Sequence, residues 1–315
     1  MRKRLPALPQ EDIHNMIIDR NRVEKQFSEY ASRYDAEDVK VQLKTAHTFR
    51  VAALADRIAR SLALSPEDTD LAWLLGMLHD IGRFEQLKQY HTFIDSQSVN
   101  HAALSADILF GRGDAAGSRG ATDGFSGAAP DGISGTAPDG GRTGVMEYHP
   151  LIRDYIDDAS EDAIIEKAVR LHNVFALPAG LTERERMFCQ ILRDADKLDI
   201  LKVNREYTCE EIYDVPEAEL RSSKISDAVL EDALARRNVE RSHVSKPMDR
   251  LVSHISLTYG LVYPESVRIA EEQGYLAKML EFRSDDPETE QRMEQIRAAV
   301  REFLAEKDAG GAGKR

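Results

Sequence analysis

The sequence predicts an all-α protein. Apolar residues recur at helical spacing through most of its 315 residues. No run alternates apolar and polar side chains as a half-buried strand would. At Ser65-Pro66-Glu67 a helix start carries its own chemistry: serine suits the N-cap, and proline suits the first helical position, where its missing N–H is no loss.

The elements follow in order. One helix carries Leu43, Val51, Leu54 and Ile58 on a single stripe. The Ser65 helix runs to His79 with Leu71, Leu74, Leu75 and Leu78 inward. A third begins near Ser98 and includes Leu104 and Ile108, and a fourth covers Asp162 to His172 with Ile164, Ile165, Ala168 and Val169. A fifth starts near Thr182-Glu183 and passes Ile191, Leu192 and Ala195 toward Leu201. Further helices are expected over Ser226 to Arg237, Met248 to Leu261 and Thr289 to Lys307.

Between the third and fourth helices, residues 111–144 are rich in Gly, Ala, Ser, Asp and Pro and contain a tandem repeat, from Asp123 to Pro130 and from Asp131 to Pro138. Two units cannot build a stacked calcium-binding coil. The reading is a flexible insertion, which a surface loop carries at little closure entropy. The chain therefore divides into an N-terminal helical segment (1–39), a central unit (40–205), a C-terminal helical extension (206–308) and a disordered tail (309–315).

Composition narrows the function. The content is 42% hydrophobic and 31% charged, with a net charge of −13. Such acidity argues against stable nucleic-acid or membrane-surface binding, which needs a basic face. A small anionic substrate stays open, because a metal ion with an Arg or Lys can reverse the local field. Cys189 and Cys209 form no CxxC pair, and two isolated thiols suit a reducing compartment. Met1-Arg2-Lys3-Arg4 is followed by Pro6, Pro9, Glu11 and Asp12 rather than an apolar run. The stretch Leu71 to Leu78 is far short of the ~20 residues that span a bilayer. A soluble, cytoplasmic protein is expected; its oligomeric state is not legible.

The histidines carry the chemistry. His47 lies one turn after Leu43, His79 one turn after Leu75, His101 on the face of Leu104 and Ile108, and His172 one turn after Ala168. Asp196 lies between Leu192 and Ile200 on one stripe. One histidine at the edge of an apolar stripe is ordinarily a satisfied core residue. Five polar positions on the core stripes of five helices are costly to bury together unless something compensates them, and a shared metal cluster would. His14, His243 and His254 read as packing or surface residues, and His91 as a candidate for the mouth of a site.

The ordered series His47, His79-Asp80, His101, His172, Asp196 resembles the HD-domain superfamily of metal-dependent phosphohydrolases. The flanks agree: His47-Thr-Phe-Arg50-Val51, Leu75-Gly-Met-Leu-His79-Asp80-Ile-Gly-Arg83 and Arg193-Asp-Ala-Asp196-Lys-Leu-Asp199. His79 to Gln86 with Asn100-His101-Ala102-Ala103 resembles an uncharacterised prokaryotic branch. The resemblance covers roughly residues 40 to 205, insertion excepted, and makes that unit the HD catalytic domain.

The resemblance implies that His47, His79, Asp80 and Asp196 hold a first divalent ion, with Asp80 bridging to a second held by His101 and His172. Mn, Fe, Co, Ni, Mg or Zn would suit such a set. Position 173 is Asn where some branches have a second consecutive His, so one or two ions remain open; His149 is a substitute or a surface residue. No GYP signature is present. Asp194 is the rival of Asp196 as ligand and, with Asp199, a candidate supporting group. His79 and Asp80 are placed at the centre of catalysis, Arg83 as a phosphate-binding side chain, and Lys197 either there or paired with Asp194 or Asp199. The expected activity is hydrolysis of a nucleotide or other small phosphate ester by metal-activated water. The alternatives are a di-iron oxygenase of the same superfamily and a non-catalytic nucleotide-binding module.

Overall fold

In the computed structural model, residues 16–111, 150–206, 209–210 and 215–312 are described. Among them there is no strand. Most of the Gly/Ala-rich insertion, His14 and His149 lie outside the described residues. No described helix is long and apolar enough to cross a membrane.

The centre of the fold is α3 (Pro66–Leu78), whose residues Leu71 to Leu78 are all buried. A helix apolar all round belongs inside. Around it pack α1 (Arg20–Ala31), α2 (Val39–Ser61), α7 (Asp162–Leu171) and α8 (Glu183–Glu206). Ser65 caps α3 as its sequence indicates, accepting from the Asp68 amide at 3.1 Å. Gly76 lets α2 and α3 approach closely: a Cβ there would lie 2.5 Å from the Ala52 Cα.

His79 is the C-cap of α3. After Asp80 and Ile81 the chain turns into α4 (Gly82–Tyr90), a helix that apolar periodicity had not marked. Gly82 permits that turn, since a Cβ would meet the Ser105 amide of α5 at 2.6 Å. α5 spans His101–Phe110, starting later than the expected Ser98. Asn100 is its true cap, accepting from Ala103 N, whereas Ser98 closes a 3₁₀ turn over Asp95–Gln97. The chain leaves after Gly111 and reappears at Pro150, and the Leu151 amide donates to Ile108 O at 3.2 Å. Both ends of the insertion are therefore neighbours. The short α6 (Ile152–Tyr155) then leads to α7.

The C-terminal part is helical too, with helices Glu217–Ser222, Asp227–Leu234, Pro247–Ser256, Pro264–Gln273, Tyr275–Leu280 and Pro287–Ala312. The expected helix from Met248 to Leu261 is an α-helix ending at Ser256 followed by a 3₁₀ turn over Leu257–Gly260. Two expected ends shift: α8 runs through residue 205 to Glu206, and the last helix reaches Ala312, inside the segment expected to be disordered. Glycine in a helix costs only about 1 kcal/mol relative to alanine, too little for Gly310 and Gly311 to end it. Helices Pro264–Gln273 and Tyr275–Leu280 pack on α8, so the extension rests on the helix that carries Asp196.

Candidate metal centre

Six side chains from five helices or their ends meet in the interior. His47 comes from α2, His79 and Asp80 from the end of α3, His101 from the first turn of α5, His172 from the end of α7 and Asp196 from α8. His79 is fully buried, and His47, Asp80, His101 and His172 are nearly so. Asp196 keeps 17% of its side chain exposed and marks where the cluster meets solvent.

The cluster has two halves joined by Asp80. On one side His47 Nε2 lies 3.3 Å from His79 Nε2 and 3.3 Å from Asp196 Oδ1. Asp80 Oδ2 lies 3.5 Å from His47 Nε2 and 3.6 Å from His79 Nε2. On the other side His101 Nε2 and His172 Nε2 are 3.0 Å apart, each 3.6 Å from Asp80 Oδ1. His47, His79 and Asp80 form one group able to hold a metal ion, and Asp80, His101 and His172 another.

The opposite nitrogen of every ring is already engaged. His47 Nδ1 donates to Asp199 Oδ2 at 2.6 Å, and Arg50 grips both oxygens of that carboxylate at 2.6 and 2.9 Å. His79 Nδ1 donates to Gly76 O at 2.8 Å and His172 Nδ1 to Val169 O at 2.7 Å, each one turn back along its own helix. His101 Nδ1 donates to Asp95, which Arg83, Gln86 and Asn173 hold in turn. Such partners fix the tautomer and leave Nε2 as a lone pair. Two such nitrogens then face each oxygen of Asp80, His47 and His79 toward Oδ2 and His101 and His172 toward Oδ1, a buried oxygen without a hydrogen-bond partner. A divalent cation would satisfy that donor set, whose imidazole and carboxylate mixture suits first-row metals.

The electrostatics agree. Burial pushes His79 down to about 4, and burial together with Arg83 pushes His101 down to about 3, so both rings are neutral at pH 7. Burial would raise Asp80, but Lys44 and His79 hold it well below the usual carboxylate range. Asp196 is likewise lowered against its burial by His47 and His79. Burial and Lys44 press His47 down, yet hydrogen bonds to Asp196 and Asp199 carry it above its ordinary value. A bound cation would displace that proton.

Of the two aspartates on α8, Asp196 borders the cluster, its Oδ1 3.3 Å from His47 Nε2. Asp194 faces elsewhere: Oδ2 accepts from the Val262 and Tyr263 amides at 2.9 and 3.1 Å, and Oδ1 from Gln190 at 2.8 Å. Arg83 stays near the cluster, its Nε 3.7 Å from Asp80 Oδ1 and without a hydrogen-bond partner. Lys197 lies away from the six cluster side chains' meeting point. Its Nζ donates to Gly260 O at 2.9 Å, and burial lowers it to about 8. The next residue along a helix points about 100° away, so the neighbour of Asp196 does not share its direction. Asn173 supports Asp95 rather than facing the ions. His91 is exposed as the left-handed C-cap of α4, and His243 pairs with Asp232.

Two residues were not singled out from sequence. Lys44 donates to Asp80 Oδ2 at 2.7 Å and lies one turn before His47, which was the available signal. Asp95 sits in a 3₁₀ turn, where no periodicity points to it. Lys44 and Arg83 both approach the Phe93 ring at 5.6 Å, which places two cations beside Asp80.

Residues 45–123, about a quarter of the chain, match the family model of the HD domain, consistent with the HD-domain superfamily. Members are generally metal-dependent hydrolases. The matched segment holds His47, His79, Asp80 and His101, while His172 and Asp196 lie beyond it. No curated protein and no solved structure matches the chain.

Proposed function

We propose that this chain hydrolyses phosphate esters, taking a nucleotide or another small phosphorylated molecule. The observation that carries the reading is the division of Asp80, with Oδ2 toward His47 and His79 and Oδ1 toward His101 and His172. A divalent ion bound there supplies Lewis acidity and lowers the pKa of a water from ~15.7 to ~7.

The protein's part is positioning and charge. Arg50 and Asp199 orient His47, and Asp95 orients His101, so that lone pairs rather than N–H groups face inward. Lys44 and Arg83 add positive charge beside Asp80, where phosphate oxygens would approach. Arg83 Nε has no other hydrogen-bond partner and is free for an oxyanion. These two cations favour an anionic substrate over the di-iron oxygenase reading, which uses the same donors.

The test loads metal-stripped protein with Mn, Co, Ni, Mg, Zn or Fe and offers nucleoside monophosphates, p-nitrophenyl phosphate and bis-p-nitrophenyl phosphate. The expected result is metal-dependent release of phosphate or p-nitrophenol that His79→Ala abolishes. Oxygen consumption by the iron form, with no hydrolysis under any metal, overturns the proposal in favour of oxidation. Nucleotide bound and recovered unchanged, in protein that retains no metal, overturns it in favour of a binding module.

A further inference from the structure

A cavity of about 540 Å³ lies between α8 and the C-terminal extension, and none of the six cluster residues lines it. Its size falls in the range of small-molecule sites, roughly 300–1,000 Å³. The α8 face from Glu183 through Met187, Gln190 and Arg193 to Lys197 forms one side, and Asn238, Gly260 and Tyr263 of the extension form the other. Asp196 points from the same helix in a different direction, so the backbone of α8 separates this cavity from the candidate metal centre.

The lining is cationic in an acidic protein. Arg186, Arg193 and Lys197 stand against a single carboxylate, Glu183. Arg193 and Lys197 are buried, only 6% and 8% exposed. Arg193 gives Nη1 to the carbonyls of Leu171, His172 and Val174 and Nη2 to that of Phe175, which leaves Nε buried without a hydrogen-bond partner. Among the described residues Lys197 has one hydrogen-bond acceptor, Gly260 O, for an ammonium with three protons. The carboxamide oxygen of Asn238 is also buried and unpartnered. Leaving such buried groups unsatisfied is costly, so this end of the cavity is built to receive a polar group.

Beside these polar groups the cavity also has an apolar wall. Leu177, Met187 and Tyr263 line it, and Phe175 and Val262 stand at it with 55% and 50% exposure. Two exposed apolar side chains beside buried cations are what an amphiphilic ligand covers.

We propose that this cavity is a second binding site, for a small molecule with a flat apolar body and one phosphate or carboxylate group. The anion takes Arg193 and Lys197, Asn238 meets an adjoining polar atom, and the apolar body lies against Met187, Tyr263 and Phe175. The site is independent of whether the metal cluster hydrolyses anything.

Isothermal titration of the full-length, metal-stripped protein with phenylphosphonate and, separately, benzoate tests this and shows which anion is preferred. Saturable binding of at least one probe is expected, with Kd unchanged within about threefold by His79→Ala and weakened at least about tenfold by Asn238→Asp. Val262→Trp, which fills the mouth from an exposed position, should weaken it similarly and serves if the first variant fails to fold. Binding that survives both cavity variants overturns the proposal, as does binding lost with His79→Ala. So does the absence of saturable binding by either probe up to about 10 mM.

Discussion

The Nε2 atoms of His101 and His172 stand 3.0 Å apart while the Nδ1 of each already donates to its own acceptor, Asp95 or Val169 O. Neither nitrogen of the close pair has a proton to offer the other, so the contact calls for a cation. His172→Ala should therefore remove one metal equivalent and leave the other, as counted by elemental analysis after loading with excess Mn and desalting. Turnover should fall at least about a hundredfold, the scale of roughly 3 kcal/mol of lost transition-state stabilisation. Loss of both equivalents, or of neither, contradicts the division of the cluster at Asp80.

Asp194 and Asp196 should separate cleanly in a pair of variants. Asp194→Ala leaves two backbone amides and Gln190 without their acceptor and should cost about 3 kcal/mol of stability, read by urea melts, with metal content unchanged. Asp196→Ala should do the reverse, lowering metal content with little change in the urea midpoint. An exchange of these phenotypes would make Asp194 the ligand.

Lys44→Met tests the cation beside Asp80. Its ammonium lies 2.7 Å from Asp80 Oδ2, close enough for both the carboxylate and an approaching phosphate to feel it. Steady-state kinetics should show KM raised about tenfold or more for a phosphate ester, with helicity intact. A variant with wild-type KM and kcat would remove Lys44 from substrate binding.

Far from the cluster, Glu290 gives a pH signature. Arg297, 1% exposed, and Arg283 both donate to its carboxylate, and against the effect of burial these bonds lower it from 4.5 to about 2. A folded-state value below the unfolded one stabilises fully above pH 4.5, and that contribution is lost as pH falls toward 2. Thermal melts of Glu290→Gln should show a deficit at pH 7 that narrows through this window. A deficit that stays constant with pH would mean the carboxylate charge is not its source.

The parts legible in the sequence share a cause. His47, His79, His172 and Asp196 ride on regular helices whose apolar stripes fix their phase, so one-dimensional spacing already encodes their convergence. His101 sits on α5, whose start was misplaced because Ser98 resembles a cap as much as Asn100 does. Asp95 and α4 were not legible, because a 3₁₀ turn and a nine-residue helix opening at glycine carry little periodic signal. The direction of Lys197 was not legible from its adjacency to Asp196, because a single helical step carries it to the extension.

That same step has a consequence for what counts as the smallest working piece of this protein. Asp194 ties the amides of Val262 and Tyr263 to the helix that presents Asp196, only two residues along. A fragment trimmed to the matched segment 45–123 would lack His172 and Asp196. One ending at residue 205 would strip α8 of the loop that Asp194 holds and leave that carboxylate facing water. The heritable unit, the one a graft or a shuffled gene would have to carry whole, therefore extends beyond Tyr263.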